Sequence, residues 1–441
     1  MECDNIVVCK NQGKHLARIF NDYNLKYKVH EQVLNSGGSG KAIKLKFERK
    51  RNNKKYKGTA ILKMATGEIT DKADNLFREG LVGMKMNFLS EVFPCFIRTL
   101  GLMKETPAGP FTIAGTKFKQ FEQYPTIAEA CKSYGKQALM LEFVDGKQFK
   151  EQYKTTEFKH ELLPVLFQIY YALQVLGSRY THFDLHTGNV LLTRPDKNAC
   201  VAFEYTFPNG QLVRFKCSYV AKIIDYGRNY LDLVGSEVKD IENQQECNNK
   251  RCGHFGNKCG FRNYQNPKHP GLGYRRSNIS HDLRLLNYAV KFLKREKRWK
   301  GGNVVFHEGE FSTEEISESG LEHGDINNVI DAGMQLAGMV NNNDHHFTGV
   351  RVLGTLKVDG VNPWKFIMTG STNSNQYSSY VSSPMRPQRK TQNSFKNTNP
   401  LPLPNELTGQ VGGVMKGQTF QKRNFPKFRK RTRKRYVARH F

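Results

Sequence analysis

Two carboxylates and one amide carry the first sign of chemistry in this 441-residue chain. Asp184 and Asn189 stand five residues apart in Thr181-His182-Phe183-Asp184-Leu185-His186-Thr187-Gly188-Asn189, and the apolar run Val190-Leu191-Leu192 follows. That order of residue types suits phosphoryl transfer. The carboxylate can take or orient the proton of an attacking hydroxyl. The amide oxygen can bind magnesium, which needs hard oxygen ligands to neutralise a triphosphate. In Lys222-Ile223-Ile224-Asp225-Tyr226-Gly227 an apolar strand delivers a second carboxylate to its end, and a glycine lets the chain turn. This geometry predicts Asp225 on the same metal.

Positioning such groups requires a folded body, and its sequence reads as mixed α and β. Residues 27–34 and 41–48 read as strands around the glycine-rich turn Ser36-Gly37-Gly38-Ser39-Gly40, and 59–64 as a third strand. Phe77, Leu81, Met84 and Phe88 recur at helical spacing and predict a helix over 74–89 with those residues facing the core. Residues 138–144 read as a buried strand and 157–176 as an apolar helix with Pro164 in its first turns. Residues 201–207 and 211–217 flank Pro208-Asn209-Gly210, a hairpin signal. Residues 220–224 read as a strand and 281–293 as a helix.

At this point the sequence resembles the protein kinase superfamily. His182-Phe183-Asp184 with Asn189 is similar to its catalytic loop, and Asp225-Tyr226-Gly227 to its metal-binding triplet. The resemblance implies further roles, in kinase order, from residue 30 to about 295. Gly37, Gly38, Ser39 and Gly40 would form the phosphate loop, whose backbone amides approach phosphates unblocked by side chains. Lys63 would grip the α- and β-phosphates and Glu79 would be its ion-pair partner, although Glu68 and Glu91 lie nearby. Met140 to Val144, with Glu142 and Val144 as adenine contacts, would be the hinge, and Asp282 would brace the catalytic loop. His182 would be structural, packed beneath the site.

The implied fold is α+β: a two-lobed protein-kinase-like fold with a small β-rich N-lobe over about 30–141 and a larger helical C-lobe over about 145–370. An N-terminal extension, 1–29, precedes it. A linker rich in Ser, Asn, Gln and Pro, 371–415, follows and reads as disordered, ahead of a basic tail, 416–441. The implied activity is serine/threonine protein kinase, with ATP and Mg2+ and with protein substrates. Phe93-Pro94-Cys95-Phe96 and Tyr180-Thr181-His182-Phe183-Asp184-Leu185-His186 are closest in wording to kinase-like proteins of large DNA viruses, the iridovirus type. That implies an enzyme of the virion or the host cytoplasm.

Departures from the family pattern open alternatives. Asn35 replaces the first glycine of the phosphate loop, and Phe183 replaces an arginine that normally binds an activation-loop phosphate. His186 stands where a lysine usually contacts the γ-phosphate, and in this it is similar to aminoglycoside and choline kinases, so a small-molecule acceptor is a second reading. A third is a virion nucleic-acid-binding protein on a degenerate kinase scaffold. Cys247, Cys252, His254 and Cys259 form a possible zinc set at a spacing that matches no common finger.

Sixty-eight Lys and Arg against 40 Asp and Glu give a net charge of +28, which points to acidic partners. Lys416–Phe441 holds eleven of those cations, interleaved with aromatic residues, and taking them from +28 still leaves +17 on the rest. The tail suits nucleic acid or another polyanion, or a nuclear-targeting signal. No apolar run of about 18 residues and no signal-peptide pattern is present, so no membrane association is expected. Nine scattered cysteines favour free thiols in a reducing compartment.

Overall fold

Period-two burial builds the first sheet. β1 (Lys28–Gly37) pairs antiparallel with β2 (Gly40–Arg51), which pairs with β3 (Lys54–Met64). Ile43 and Leu45 are buried between less buried lysines, and Ala60 and Leu62 alternate with the half-buried Ile61 and Lys63. The computed structural model describes residues 28–37, 40–51, 54–64, 76–105, 111–113, 116–118, 121–123, 137–232, 277–305, 324–341 and 343–369. These belong to one compact unit, Met1–Leu401, while Pro402–Phe441 is assigned to a second, outside the described residues. The whole 371–415 linker, the basic tail, the Cys247 to Cys259 set, Glu68 and residues 1–27 of the N-terminal extension lie outside them.

Helix α1 (Leu76–Val92) and strands β4 (Thr99–Glu105), β5 (Phe111–Ile113), β6 (Thr116–Phe118), β7 (Phe121–Gln123) and β8 (Gln137–Glu142) complete this part. The sheet runs β1-β2-β3-β8-β4-β7 and every neighbouring pair is antiparallel. Of the four apolar residues expected to face the core from α1, the side chains of Phe77 and Leu81 lie outside the described ones. Met84 and Phe88 are only half-buried, and the buried stripe is Leu76, Glu79, Val82, Gly83, Met86 and Leu89. A Cβ at Gly83 would run into the Thr99 side chain and press on Tyr226, so glycine lets the helix approach β4 on the face that carries Glu79.

The chain then forms β9 (Gly146–Gln148) and α2 (Leu162–Leu176). α2 starts at Leu162 rather than at 157. Pro164 is its third residue, where an amide N–H would have no partner within the helix, so proline costs nothing there. The helix is apolar on nearly all sides and is buried accordingly. β10 (Tyr180–Thr181), β11 (Val190–Thr193), β12 (Ala199–Thr206), β13 (Leu212–Cys217), β14 (Val220–Ile223) and β15 (Tyr230–Leu231) follow. The turn between β12 and β13 closes through Gly210 at φ 82°, a conformation that favours glycine.

Helices α3 (Leu283–Arg295) and α4 (Val329–Val340) and strands β16 (Arg351–Val358) and β17 (Lys365–Met368) end the described chain. The β12–β13 hairpin grows into a four-stranded sheet, β13-β12-β16-β17, because β16 adds parallel to β12. On its inner side Phe203, Tyr205 and Phe215 stack on one another, and Tyr205 and Phe215 meet Phe167 of α2 edge-on. Beyond it, Trp364 reaches back to α1: its indole N–H donates to the Ser90 carbonyl at 3.0 Å and its backbone N–H to Glu91 at 2.9 Å. Two carbonyls at the C-terminal end of α1 are satisfied this way.

Candidate active site

Lys63, near the end of β3, faces α1. Its ammonium lies 2.6 Å from a Glu79 carboxylate oxygen and 3.4 Å from Asp225. Glu79 is buried and occupies the centre of the packed stripe of α1, whereas the Asp225 side chain is 42% exposed and open to a ligand. Burial alone would lower the Lys63 pKa, but the two carboxylates overcome it and hold the ammonium well above its ordinary value. The partial desolvation of Asp225 opposes its ionisation, yet Lys63 beside it keeps its carboxyl below the ordinary carboxylate range.

β11 and β14 bring the other residues together. They pair antiparallel with Val190 opposite Ile223, so the residue before one strand and the residues after the other share one end. The Ile224 N–H donates to the Asn189 carbonyl at 3.0 Å. The Asn189 side-chain NH2 donates to the Asp184 carbonyl at 2.9 Å, which fixes the amide orientation and presents its oxygen elsewhere. Gln168 of α2 pins β14 by bonding the Tyr219 carbonyl and the Ala221 N–H.

The loop carrying Asp184 is strained and held from below. Phe183 has φ 60° and Asp225 φ 69°, conformations costing on the order of 1–3 kcal/mol each. The buried Asp282 carboxylate accepts the backbone N–H groups of His182 at 2.7 Å and Phe183 at 3.0 Å. Burial pushes the Asp282 carboxyl up to about 7, against the pull of those two donors. Tyr170 of α2 sets Asp282 in place, donating to its carbonyl and accepting the Leu286 N–H. His182 is fully buried and lies below its ordinary pKa because of burial. Its Nδ1 accepts the Asp184 N–H, so its Nε2 carries the proton and donates to the Ile224 carbonyl.

At the expected hinge, Glu142 turns its side chain inward. Its carboxylate accepts the Arg98 N–H at 3.0 Å and lies 3.8 Å from Lys222, both side chains being buried. Burial pulls the Lys222 ammonium below its ordinary value, against the attraction of Glu142. The Glu142 N–H donates to Arg98, so an adenine contact from this residue would use its carbonyl. Val144 is half-buried just beyond β8. Gly37 and Gly40 face each other at the end of the β1–β2 hairpin, while Gly38 and Ser39 lie outside the described residues.

Hard oxygens from Asn189 and Asp225 fit magnesium, which keeps several waters and phosphate oxygens among its ligands. Among the described residues no group of three or more His, Cys, Asp and Glu gathers as an all-protein metal cage. No helix among them is long and apolar enough to cross a membrane.

The motif reading missed two cations. Arg228 Nη1 lies 3.3 Å and Arg284 Nη1 3.6 Å from the same Asp184 oxygen, and His186 Nε2 lies 3.9 Å from it. Their sequence signal was adjacency: Arg228 follows Gly227 directly, and Arg284 is two residues past Asp282.

No model of a known protein family matches the chain. Over 120 residues it is 29% identical to a probable serine/threonine-protein kinase of Dictyostelium discoideum. The match covers 25% of this chain and 10% of that protein. This is a weak, partial likeness to a kinase.

Proposed function

We propose that the protein is an ATP- and magnesium-dependent phosphotransferase acting on serine and threonine hydroxyls of proteins, built on an α+β, two-lobed kinase-like fold. The observation that carries the reading is Lys63 held between Glu79 and Asp225, three residues from β3, α1 and the end of β14. The partial likeness to a kinase supports it. In this reading the sheet of β1 to β4, β7 and β8 with α1 is the small lobe.

Glu79 orients Lys63 toward the α- and β-phosphates. Asp184 accepts the proton of the attacking hydroxyl, and Asn189 and Asp225 hold the metal. Magnesium, when bound, neutralises charge on the triphosphate. The Gly37–Gly40 turn covers the phosphates, and the backbone of Glu142 and Val144 meets the adenine. The phrases shared with viral kinase-like proteins make the virion or host cytoplasm the setting we propose, with protein substrates and a polyanion on Lys416–Phe441 as partners.

Radiolabelled ATP with full-length protein and its Asp184→Asn variant tests the reading. Transfer to a basic model protein that disappears in the variant is the expected result. No transfer by the wild type, or undiminished transfer by the variant, overturns it. His186, with Nε2 toward Asp184, keeps a small-molecule acceptor as the second reading. Transfer to aminoglycosides or choline and not to protein would select it.

A further inference from the structure

Asp184 is surrounded by nitrogen groups from three segments. Arg228 comes from the turn after Asp225, Arg284 from the first turn of α3, and His186 from the loop of Asp184 itself. All three converge on one carboxylate oxygen, at 3.3, 3.6 and 3.9 Å. A general base needs no such company: a single carboxylate oxygen has three nitrogen groups within 4 Å. The transferring phosphoryl group, however, must lie beside the base and brings several anionic oxygens with it.

His186 cannot supply a fixed charge there. Its Nδ1 accepts the Gly188 N–H at 3.0 Å, so the ring holds at most the Nε2 proton and is neutral. Gly188 preserves this arrangement, because a Cβ there would press on the imidazole. Guanidinium groups do not lose their charge, and their forked donors match phosphoryl oxygens.

We propose that Arg228, seconded by Arg284, holds the transferring phosphoryl group and supplies the positive charge that His186 does not. This rests on the phosphotransferase reading. The acceptor hydroxyl oxygen forms a bond to the γ-phosphorus while the bond to the β–γ bridging oxygen breaks. The hydroxyl proton passes to Asp184 and the electron pair leaves with ADP. Arg228 and Arg284 turn their N–H groups from Asp184 to the non-bridging oxygens of the phosphoryl group.

The test uses full-length wild type, Arg228→Ala, Arg228→Lys and Arg284→Ala, each checked by thermal melting. Turnover is measured alongside affinity for magnesium ADP, with and without tetrafluoroaluminate as a mimic of the phosphoryl group in flight. For Arg228→Ala we expect ADP affinity within about threefold of wild type and turnover lower by roughly 10²–10³-fold. The tightening by tetrafluoroaluminate should fall by a similar factor, and added guanidinium ion should restore part of the rate. Arg228→Lys should lie between the two, and Arg284→Ala should lose about tenfold.

Undiminished turnover and tightening in Arg228→Ala overturn the proposal. So does an equal loss of ADP and mimic affinity, which marks Arg228 as structural. Should Arg228→Ala fail to fold, Arg228→Lys decides: wild-type turnover and tightening would refute the need for a forked donor. A wild type that neither binds ADP nor transfers phosphate defeats the phosphotransferase reading itself, and this proposal with it.

Discussion

Two ion clusters in this molecule are mirror images in composition. In one, the cation Lys63 sits between the acids Glu79 and Asp225 at 2.6 and 3.4 Å. In the other, the acid Glu204 sits between the cations Arg214 and Lys357 at 3.1 and 2.9 Å. Their distances do not tell them apart. Their origin does: Glu204 faces Arg214 and Lys357 directly across neighbouring strands, so sheet register alone creates the cluster. Lys63, Glu79 and Asp225 meet only when α1 packs on its glycine face and β14 ends beside β11. Arg214 and Lys357 stay largely in water, whereas Glu79 is buried. An ion cluster assembled from distant elements, with one member buried and another partly exposed, suits the ligand-binding role proposed for it. One assembled by register in water is a solvated surface.

The largest expected difference between the two is catalytic. Asp225→Asn should lower turnover on the order of 10³-fold with the fold intact by circular dichroism. Near wild-type initial rates in that variant would break the comparison at its centre.

The second test attacks the packing that brings Glu79 to Lys63. Trp364→Ala removes a buried indole braced on α1 and should cost roughly 3–5 kcal/mol in chemical denaturation. Trp364→Phe keeps most of the volume but loses the bond to Ser90 and should cost about 1 kcal/mol. If Trp364→Ala unfolds no more easily than wild type, the brace does not hold α1.

A third test separates the regions by pH. His281 is buried beneath Phe183, and burial lowers its pKa to about 4. The neutral ring is the folded form, so its contribution is complete above pH 6.5 and is lost as pH falls toward 4. Relative to His281→Gln, wild type should therefore lose about 3 kcal/mol between those values. Glu204 is held below its ordinary pKa by Lys357 and Arg214, against burial. Its contribution is present above the unfolded pKa and fades only in stronger acid. Parallel stability curves for wild type and His281→Gln from pH 7 to 4 would refute the assignment.

The smallest effect belongs to the exposed cluster. Glu204→Gln should change stability by less than about 1 kcal/mol, because its partners are largely in water, and leave turnover unchanged. A loss of activity in that variant would erase the distinction drawn between the two clusters.

Much of the site was legible in linear order because its residues lie at the ends of locally coded elements. Asn189 precedes and Asp225 follows short apolar strands whose patterning shows in the sequence, and Lys63 is one residue from the end of an alternating strand. The face of α1 was not legible. Met84 and Phe88 are large apolar residues left half-buried, while Gly83 lets the stripe that carries Glu79 pack closely. β16 was not legible because its pairing with β12 spans well over a hundred residues and leaves no short-range signal, and β17 joins the sheet only through β16.

The amino-acid sequence by itself determined which groups are available: a base-like aspartate, two metal-type oxygen donors, a strand-end lysine and the chain order in which they come. Residue type and short-range periodicity carry that information, since each depends on a few neighbouring positions. The tertiary structure alone decided that Glu79 meets Lys63. It also decided that Arg228 and Arg284 converge on Asp184, and that Asp282 and Tyr170 hold the strained loop beneath it. Those contacts join segments far apart in the chain, and they are set by close packing and by the need to satisfy buried polar groups, neither of which is written in local spacing.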